Sequence, residues 1–177
     1  MTENAPKNDA DGTPLISAQA LIAEIQAAFK GVSREGGLSW SQCVALDHYE
    51  DPTEARKLDT DTHWLQLVDD VKWQPFPGIG GFSFIDAEGF LYYLPPTMIR
   101  FVRGDRSAYD PDHLLGSIRR FFKESPTLFD PAMRRVLSRF MMYLARHDRE
   151  MGYFDDQHNP WQEALDLGWQ HYLNENG

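Results

Sequence analysis

The chain has 177 residues, of which 42% are hydrophobic and 13% aromatic, and this is enough to bury the core of a single domain. Acidic residues outnumber basic ones by 27 to 17, and the resulting net charge of −10 argues against general binding to nucleic acid or to an anionic membrane surface. The charge balance instead favours a basic or neutral partner.

The N-terminal segment is polar and has neither the apolar stretch nor the basic start of a signal peptide. It predicts a disordered tail over residues 1–14, followed by one domain over residues 15–177. No apolar run approaches the roughly 20 residues of a spanning helix, so we expect a soluble protein. The single cysteine, Cys43, lies within a helical pattern, which predicts a buried thiol and a cytoplasmic location.

Capping residues predict the first helices. Ser17 is the expected N-cap of an amphipathic helix that Gly31 ends. Ser39 and Gln42 form the capping-box pattern of a second helix. Asp51, which precedes a proline, predicts the start of a short third helix.

The segment over residues 62–74 mixes helical and extended periodicity. Trp64, Val68 and Trp73 are among its apolar residues, and their spacing fits neither period well. The choice between helix and extended chain therefore stays open, with a short helix favoured.

An aromatic segment further along predicts the centre of the fold. Its apolar residues recur with period two, as in a strand with one buried face, at Phe82, Phe84, Phe90, Tyr92 and Leu94. This alternation predicts a β-hairpin.

The residues inside the expected hairpin suit a tight turn. Asp86 can hydrogen bond the backbone two residues on, and Gly89 can adopt the left-handed conformation. Pro95 is expected to end the second strand because it has no N–H to donate, and Pro96 to begin a helix that runs to Arg103.

Three further helices are predicted to begin at Asp-Pro or Asn-Pro pairs, with caps at Asp110, Asp130 and Asn159. The helix after Asp130 has the clearest apolar stripe, which includes Phe140 and Leu144. The predicted fold class is therefore α+β, a mainly α-helical single domain packed around a small antiparallel β-hairpin.

The hairpin segment also carries a family resemblance. With Asp-x-Glu-Gly-Phe at Asp86–Phe90 and Tyr-Leu-Pro at Tyr93–Pro95, the sequence resembles a bacterial family of uncharacterised small domains. In that family, flanking helices correspond here to Ala18–Phe29 and Phe140–Leu144. The resemblance implies a fold unit with no established activity.

One cluster has the residue types of metal ligands. An imidazole with nearby carboxylates can hold a divalent ion and support a metal-assisted hydrolase. The spacing matches no named motif, so a solvated loop between helices is the favoured interpretation, and we expect neither a metal nor a cofactor. The cluster comprises His147, Asp148, Asp155, Asp156 and His158.

An acidic segment interleaved with aromatic residues is the candidate binding site. Its carboxylates can either pair with the arginine-rich stretch of residues 100–149 or form a docking surface for a basic partner, with aromatic side chains at its centre. The candidate residues are Asp59, Asp61, Trp64, Asp69, Asp70, Trp73 and Phe76.

The favoured functional hypothesis is a non-enzymatic binding protein, most concretely an immunity-type protein that neutralises a cognate bacterial toxin in the cytoplasm. The alternative is the metal-assisted hydrolase, and RNA binding through residues 100–149 is the least favoured. A homodimer is possible, and no membrane or nucleic-acid partner is expected.

Overall fold

The computed structural model describes residues 16–75, 81–107, 109–155 and 157–174, so the predicted tail over residues 1–14 lies outside the description. Regular structure in these ranges is helical throughout. None of the described helices has both the length and the apolar character needed to cross a membrane. The α-helices are α1 (Ala18–Ala28), α2 (Trp40–Asp47), α3 (Pro52–Ala55), α4 (Ala87–Val102), α5 (Pro111–Glu124), α6 (Pro131–Glu150) and α7 (Pro160–Asp166). Short 3-10 helices lie at Arg56–Leu58, Trp64–Leu67, Gly81–Ser83 and Trp169–Asn174.

Helix α4 is the centre of the molecule. Almost all of its residues from Gly89 onward are buried, and it packs against α1, α6 and the 3-10 helix at Trp64–Leu67. A helix that is apolar around its whole circumference is stable only when it is enclosed on all sides. The other helices therefore form a shell around α4.

The predicted β-hairpin is wrong, because no strand exists in the described ranges. Its first-strand residues Phe82 and Phe84 lie in and just after the 3-10 helix Gly81–Ser83, and its second-strand residues lie in α4. The period-two signal of the second predicted strand arises because opposite faces of α4 are both buried, so its apolar residues alternate as they would in a strand. Asp86 is the N-cap of α4 and accepts the N–H of Gly89 at 2.8 Å. The Asp-x-x-Gly sequence thus begins a helix, and the fold class is all-helical rather than α+β.

Pro95 and Pro96 lie inside α4, so the prediction that Pro95 ends a strand and Pro96 begins a new helix is also wrong. A proline in a helix interior removes a hydrogen bond and costs ~3 kcal/mol or more. Both rings are buried in the core, and the Thr97 hydroxyl donates to the carbonyl of Tyr93 at 2.8 Å. Burial of the surrounding apolar side chains offsets the cost of the two prolines.

The predicted N-caps of the other helices are confirmed. Ser17 accepts the N–H of Ala20, Ser39 is the N-cap of α2 and donates its N–H to the side chain of Gln42 at 3.0 Å, and Asp51 accepts the N–H of Thr53. Cys43 is buried on α2, as its place in the helical pattern predicts.

The C-terminal helices also begin at the predicted residues. Asp110, Asp130 and Asn159 each cap a helix whose first residue is proline. Helix α6 buries its apolar stripe against α1, α4 and α7, and Phe140 is fully enclosed.

Candidate functional site

A cleft of about 810 Å³ opens on the surface beside α2. Its wall contains the carboxylates of Asp59, Asp61 and Asp70, together with the ammonium of Lys72. We call it the acid-lined cleft. The complete lining is Trp40, Ser41, Val44, His48, Leu58, Asp59, Thr60, Asp61, Gln66, Leu67, Asp70, Lys72, Trp73 and Gln74.

Two of the three carboxylates are held in fixed positions. Asp59 accepts hydrogen bonds from the N–H and the hydroxyl of Ser41, both at 2.9 Å. Asp61 accepts the hydroxyl of Tyr92 at 2.6 Å. The Arg34 guanidinium lies 3.8 Å from Asp59 and 3.5 Å from Asp61, so one cation is shared by two anions.

The same guanidinium joins the cleft wall to α4. Arg34 donates to the Tyr93 hydroxyl at 2.7 Å, and that oxygen also accepts the backbone N–H of Trp40 at 2.8 Å. Burial raises the pKa of Tyr93, and burial together with the hydrogen bond to Asp61 raises that of Tyr92. Burial lowers the pKa of Arg34, but its interactions with Tyr93 and Asp61 outweigh burial and raise it. The arginine therefore stays charged and the tyrosines stay neutral.

Two tryptophans form the floor of the acid-lined cleft. The ring centroids of Trp40 and Trp73 are 5.4 Å apart in an edge-to-face arrangement, and Tyr93 stacks on Trp73 at 5.9 Å. Arg100 donates to the carbonyl of Trp73 at 2.6 Å and to Asp105 at 2.6 Å, which fixes the floor to the end of α4. The indole N–H of Trp73 is buried and has no hydrogen-bond partner among the described residues.

The rim of the cleft exposes apolar side chains. Leu58, which lines the cleft, is 74% exposed. Val71, between the lining residues Asp70 and Lys72, is 84% exposed. Such exposed apolar groups beside carboxylates are typical of a surface that contacts another protein.

The predicted docking residues only partly come together. Asp59, Asp61, Asp70 and Trp73 line the acid-lined cleft. Three others do not take part in the described cleft. Trp64 is fully buried and donates its indole N–H to the carbonyl of Phe29, Asp69 pairs with Arg103 at 2.6 Å, and Phe76 lies outside the described residues.

The predicted metal-ligand cluster is divided between a buried network and a surface loop. Asp148 is fully buried and accepts the guanidinium of Arg106 at 2.8 Å, the indole N–H of Trp161 at 3.0 Å and the hydroxyl of Tyr109. Burial raises the pKa of Asp148, while Arg106 opposes that shift. Burial lowers the pKa of His147, whose Nδ1 lies 3.5 Å from the Asp148 carboxylate.

The remaining members of the cluster lie in the loop before α7. Asp155 accepts the N–H groups of Gln157 and His158, and His158 contacts Glu163 at 3.3 Å. Asp156 lies outside the described residues. Across the described part of the chain, no group of three or more His, Cys, Asp or Glu side chains is placed to hold a metal ion.

Fold and site together define an all-helical domain with an acid-lined surface cleft. The chain belongs to the DUF6714 family, a family of unknown function whose model matches residues 17–171. The predicted membership of an uncharacterised domain family is thus confirmed. No curated protein and no solved structure matches the chain.

Proposed function

We propose that the protein is a non-enzymatic binding protein that receives a basic segment of a partner protein in the acid-lined cleft. The observation that carries this proposal is the composition of the cleft, which is lined by Asp59, Asp61 and Asp70, by one lysine, Lys72, and by two tryptophans. Arg34 is shared by Asp59 and Asp61, so Asp70 is the lining carboxylate without a described cationic partner. A cationic segment entering the cleft meets an excess of carboxylates, and complementary charge increases both association rate and specificity.

The order of the cleft supports tight binding. Asp59 and Asp61 are already fixed by Ser41, Tyr92 and Arg34, so binding does not have to order them. Preorganisation of this kind improves affinity because the entropy cost of holding the side chains is met during folding. Apolar rim residues such as Leu58 add area from which water is excluded on binding.

In its most concrete form, the protein is an immunity-type protein that occludes a cognate bacterial toxin in the cytoplasm. A nuclease toxin fits this role, because a surface that binds nucleic acid is rich in lysine and arginine. An acidic inhibitor that covers such a surface competes directly with the phosphate backbone.

The experiment begins with the identification of a partner by co-purification and the preparation of that partner in pure form. The partner is then expressed in bacteria alone, with the wild-type chain, or with a charge-reversed variant. We expect growth arrest by the partner alone, rescue by the wild type and loss of rescue by Asp70→Lys. The matched control is Asp166→Lys, which reverses an exposed aspartate on α7 away from the cleft lining.

Two results contradict the proposal. Rescue by Asp70→Lys that equals rescue by the wild type excludes the acid-lined cleft as the binding site. A pure partner that binds the chain but never arrests growth excludes the immunity role. The metal-assisted hydrolase stays a prediction. The carboxylate oxygens of Asp148, which a metal ion would need as ligands, accept hydrogen bonds from Arg106 and Trp161 and therefore do not add support to it.

A further inference from the structure

Tyr49 ends α2 in a backbone conformation that is unfavourable for its residue type. Its φ is 59°, and within the described ranges it is the sole non-glycine residue with positive φ. The N–H of Glu50 donates to the carbonyl of Ala45 at 2.8 Å, and the N–H of Tyr49 donates to that of Leu46 at 3.2 Å. This is the Schellman motif, whose left-handed position is normally occupied by glycine.

Two other helices of the same chain end in this motif with glycine at the equivalent position. Gly104 after α4 has φ of 84°, and Gly152 after α6 has φ of 73°. Their hydrogen-bond pattern is the same, with Asp105 donating to Arg100 at 2.9 Å and Tyr153 to Asp148 at 2.8 Å. Glycine therefore occupies the left-handed position after α4 and after α6, and a tyrosine occupies the same position after α2.

Packing does not offset the strain at Tyr49. Its side chain is 99% exposed, so burial of the ring adds nothing to the stability of the fold. An L-residue in the left-handed region is disfavoured by contact between its Cβ and the backbone, and glycine avoids that contact. A strained residue that also exposes a large aromatic ring is better explained by binding than by folding.

The charges around Tyr49 indicate what binds there. Asp47, Glu50 and Asp51 lie within two residues of Tyr49 in the sequence, and the adjacent His48 lines the acid-lined cleft. An aromatic face next to carboxylates suits a guanidinium group, which can stack on the ring while donating hydrogen bonds to the acids.

We propose that Tyr49 is an aromatic anchor at the edge of the acid-lined cleft, and that it stacks on an arginine side chain of the basic partner segment. This inference rests on the proposed function and adds a specific contact to it. It also predicts that the tyrosine at position 49 strengthens binding and lowers the stability of the fold.

The test uses the full chain and a synthetic hexaarginine peptide as the probe, with hexalysine for comparison. Calorimetric titration at physiological ionic strength gives the affinity, and thermal unfolding gives Tm. Tyr49→Gly should raise Tm and weaken hexaarginine binding about two- to fivefold, the range expected for an exposed cation–π contact. Tyr49→Phe should leave both quantities close to those of the wild type, because it retains the ring.

The outcomes separate this inference from the proposed function. If Asp70→Asn weakens hexaarginine binding but Tyr49→Gly does not, the cleft binds a basic segment and the anchor proposal is overturned. If neither variant weakens binding, both proposals are overturned. Equal affinity for hexalysine contradicts guanidinium stacking, and an unchanged Tm in Tyr49→Gly contradicts the strain argument.

Discussion

At the scale of single residues, close backbone packing accounts for the glycine at position 89 in the Asp-x-Glu-Gly motif of this sequence. A Cβ at Gly89 would lie 2.5 Å from the carbonyl oxygen of Leu38, and one at Gly37 would lie 2.4 Å from the amide nitrogen of Gly89. The N–H of Leu38 donates to both carboxylate oxygens of Asp86 at 3.0 Å. The motif thus holds the chain before α2 in close backbone contact with the N-terminus of α4.

This close contact gives a prediction with an internal control. Gly89→Ala should lower the free energy of unfolding by about 1–3 kcal/mol, because the added methyl group overlaps a backbone oxygen that cannot move freely. Gly116→Ala on α5 is the same chemical change at a site where an added Cβ meets nothing within 4 Å. It should increase stability by about 0.5–1 kcal/mol. Denaturant unfolding measures both, and equal effects of the two substitutions would show that the contact at Gly89 is unimportant.

For the candidate site, the sequence shows the charge of individual residues but not the side chains that hold them. The acidic character of Asp59, Asp61 and Asp70 is visible in the sequence. Their role as fixed cleft walls is not, because it depends on Arg34 and Tyr92, which folding brings from distant parts of the chain. The sequence predicts either pairing with residues 100–149 or a docking surface, and the cation that Asp59 and Asp61 share is Arg34, which lies outside that stretch.

Tyr49 could have been found from the sequence in part. A helix that ends without glycine or asparagine at its left-handed position is a visible departure from capping rules. The positive φ and the exposure of the Tyr49 ring, which point to a role in binding, are properties of the folded chain and cannot be obtained from the sequence.

At the scale of secondary-structure elements, the end of α4 fixes the floor of the acid-lined cleft. Asp105 binds Arg100, and Arg100 holds the carbonyl of Trp73. Burial raises the pKa of Asp105, but hydrogen bonds from Ser107 and Arg100 outweigh burial, so the pKa is lowered. Because Asp105 holds Arg100 and Arg100 holds Trp73, the ionisation of Asp105 affects the position of the cleft floor.

The sign of this shift gives a pH prediction. Because the pKa of Asp105 is lower in the folded state, its contribution to stability is present above the ordinary pKa of 3.8 and is lost as the pH falls through the folded value. The wild type should be more stable than Asp105→Asn at neutral pH, and the difference should shrink below about pH 4. Urea unfolding across this range measures it, and a difference that is independent of pH would contradict the assignment.

The helices differ in how well the sequence predicts them. Those at the surface have one buried stripe and proline-marked starts, and α5, α6 and α7 begin where the caps predict. The pattern of the N-terminal half of α4 resembles a strand because the residues of this helix from Gly89 onward are buried on nearly every side. Periodicity identifies an element only when it has one exposed face, and α4 has none.

At the scale of the whole molecule, the acidic and arginine-rich regions partly neutralise each other. Arg103 of the arginine-rich stretch pairs with Asp69 of the acidic segment, whereas Arg106 pairs with Asp148 inside the arginine-rich stretch itself. Asp70 also belongs to the acidic segment. Among its described contacts, its carboxylate accepts one hydrogen bond, from the backbone N–H of Lys72 at 2.9 Å. Its charge therefore faces the acid-lined cleft without a described cationic partner.

Asp70→Asn should slow association with the purified partner and reduce the dependence of that rate on salt, because it removes charge while preserving a hydrogen-bond acceptor for Lys72. The matched control is Asp166→Asn, which likewise preserves the acceptor for Gln162. Stopped-flow association at low and high ionic strength measures the rates. A decrease of the same size in both variants would indicate a general effect of net charge.

Metal removal tests the alternative function. We expect that protein purified without chelator contains no stoichiometric metal and that a chelator leaves Tm unchanged. Elemental analysis and thermal unfolding measure these two quantities. Stoichiometric metal whose removal lowers Tm would favour the hydrolase built on His147 and Asp148.

The central claim is that the acid-lined cleft receives a basic segment, and mapping the bound segment in solution tests it most directly. Isotope-labelled protein titrated with hexaarginine gives the amide chemical-shift changes residue by residue. We expect the largest changes at residues 48–50, 58–61 and 70–73. Largest changes at acids outside the cleft, such as Glu124 and Asp166, or changes spread evenly over the exposed carboxylates, would contradict the claim.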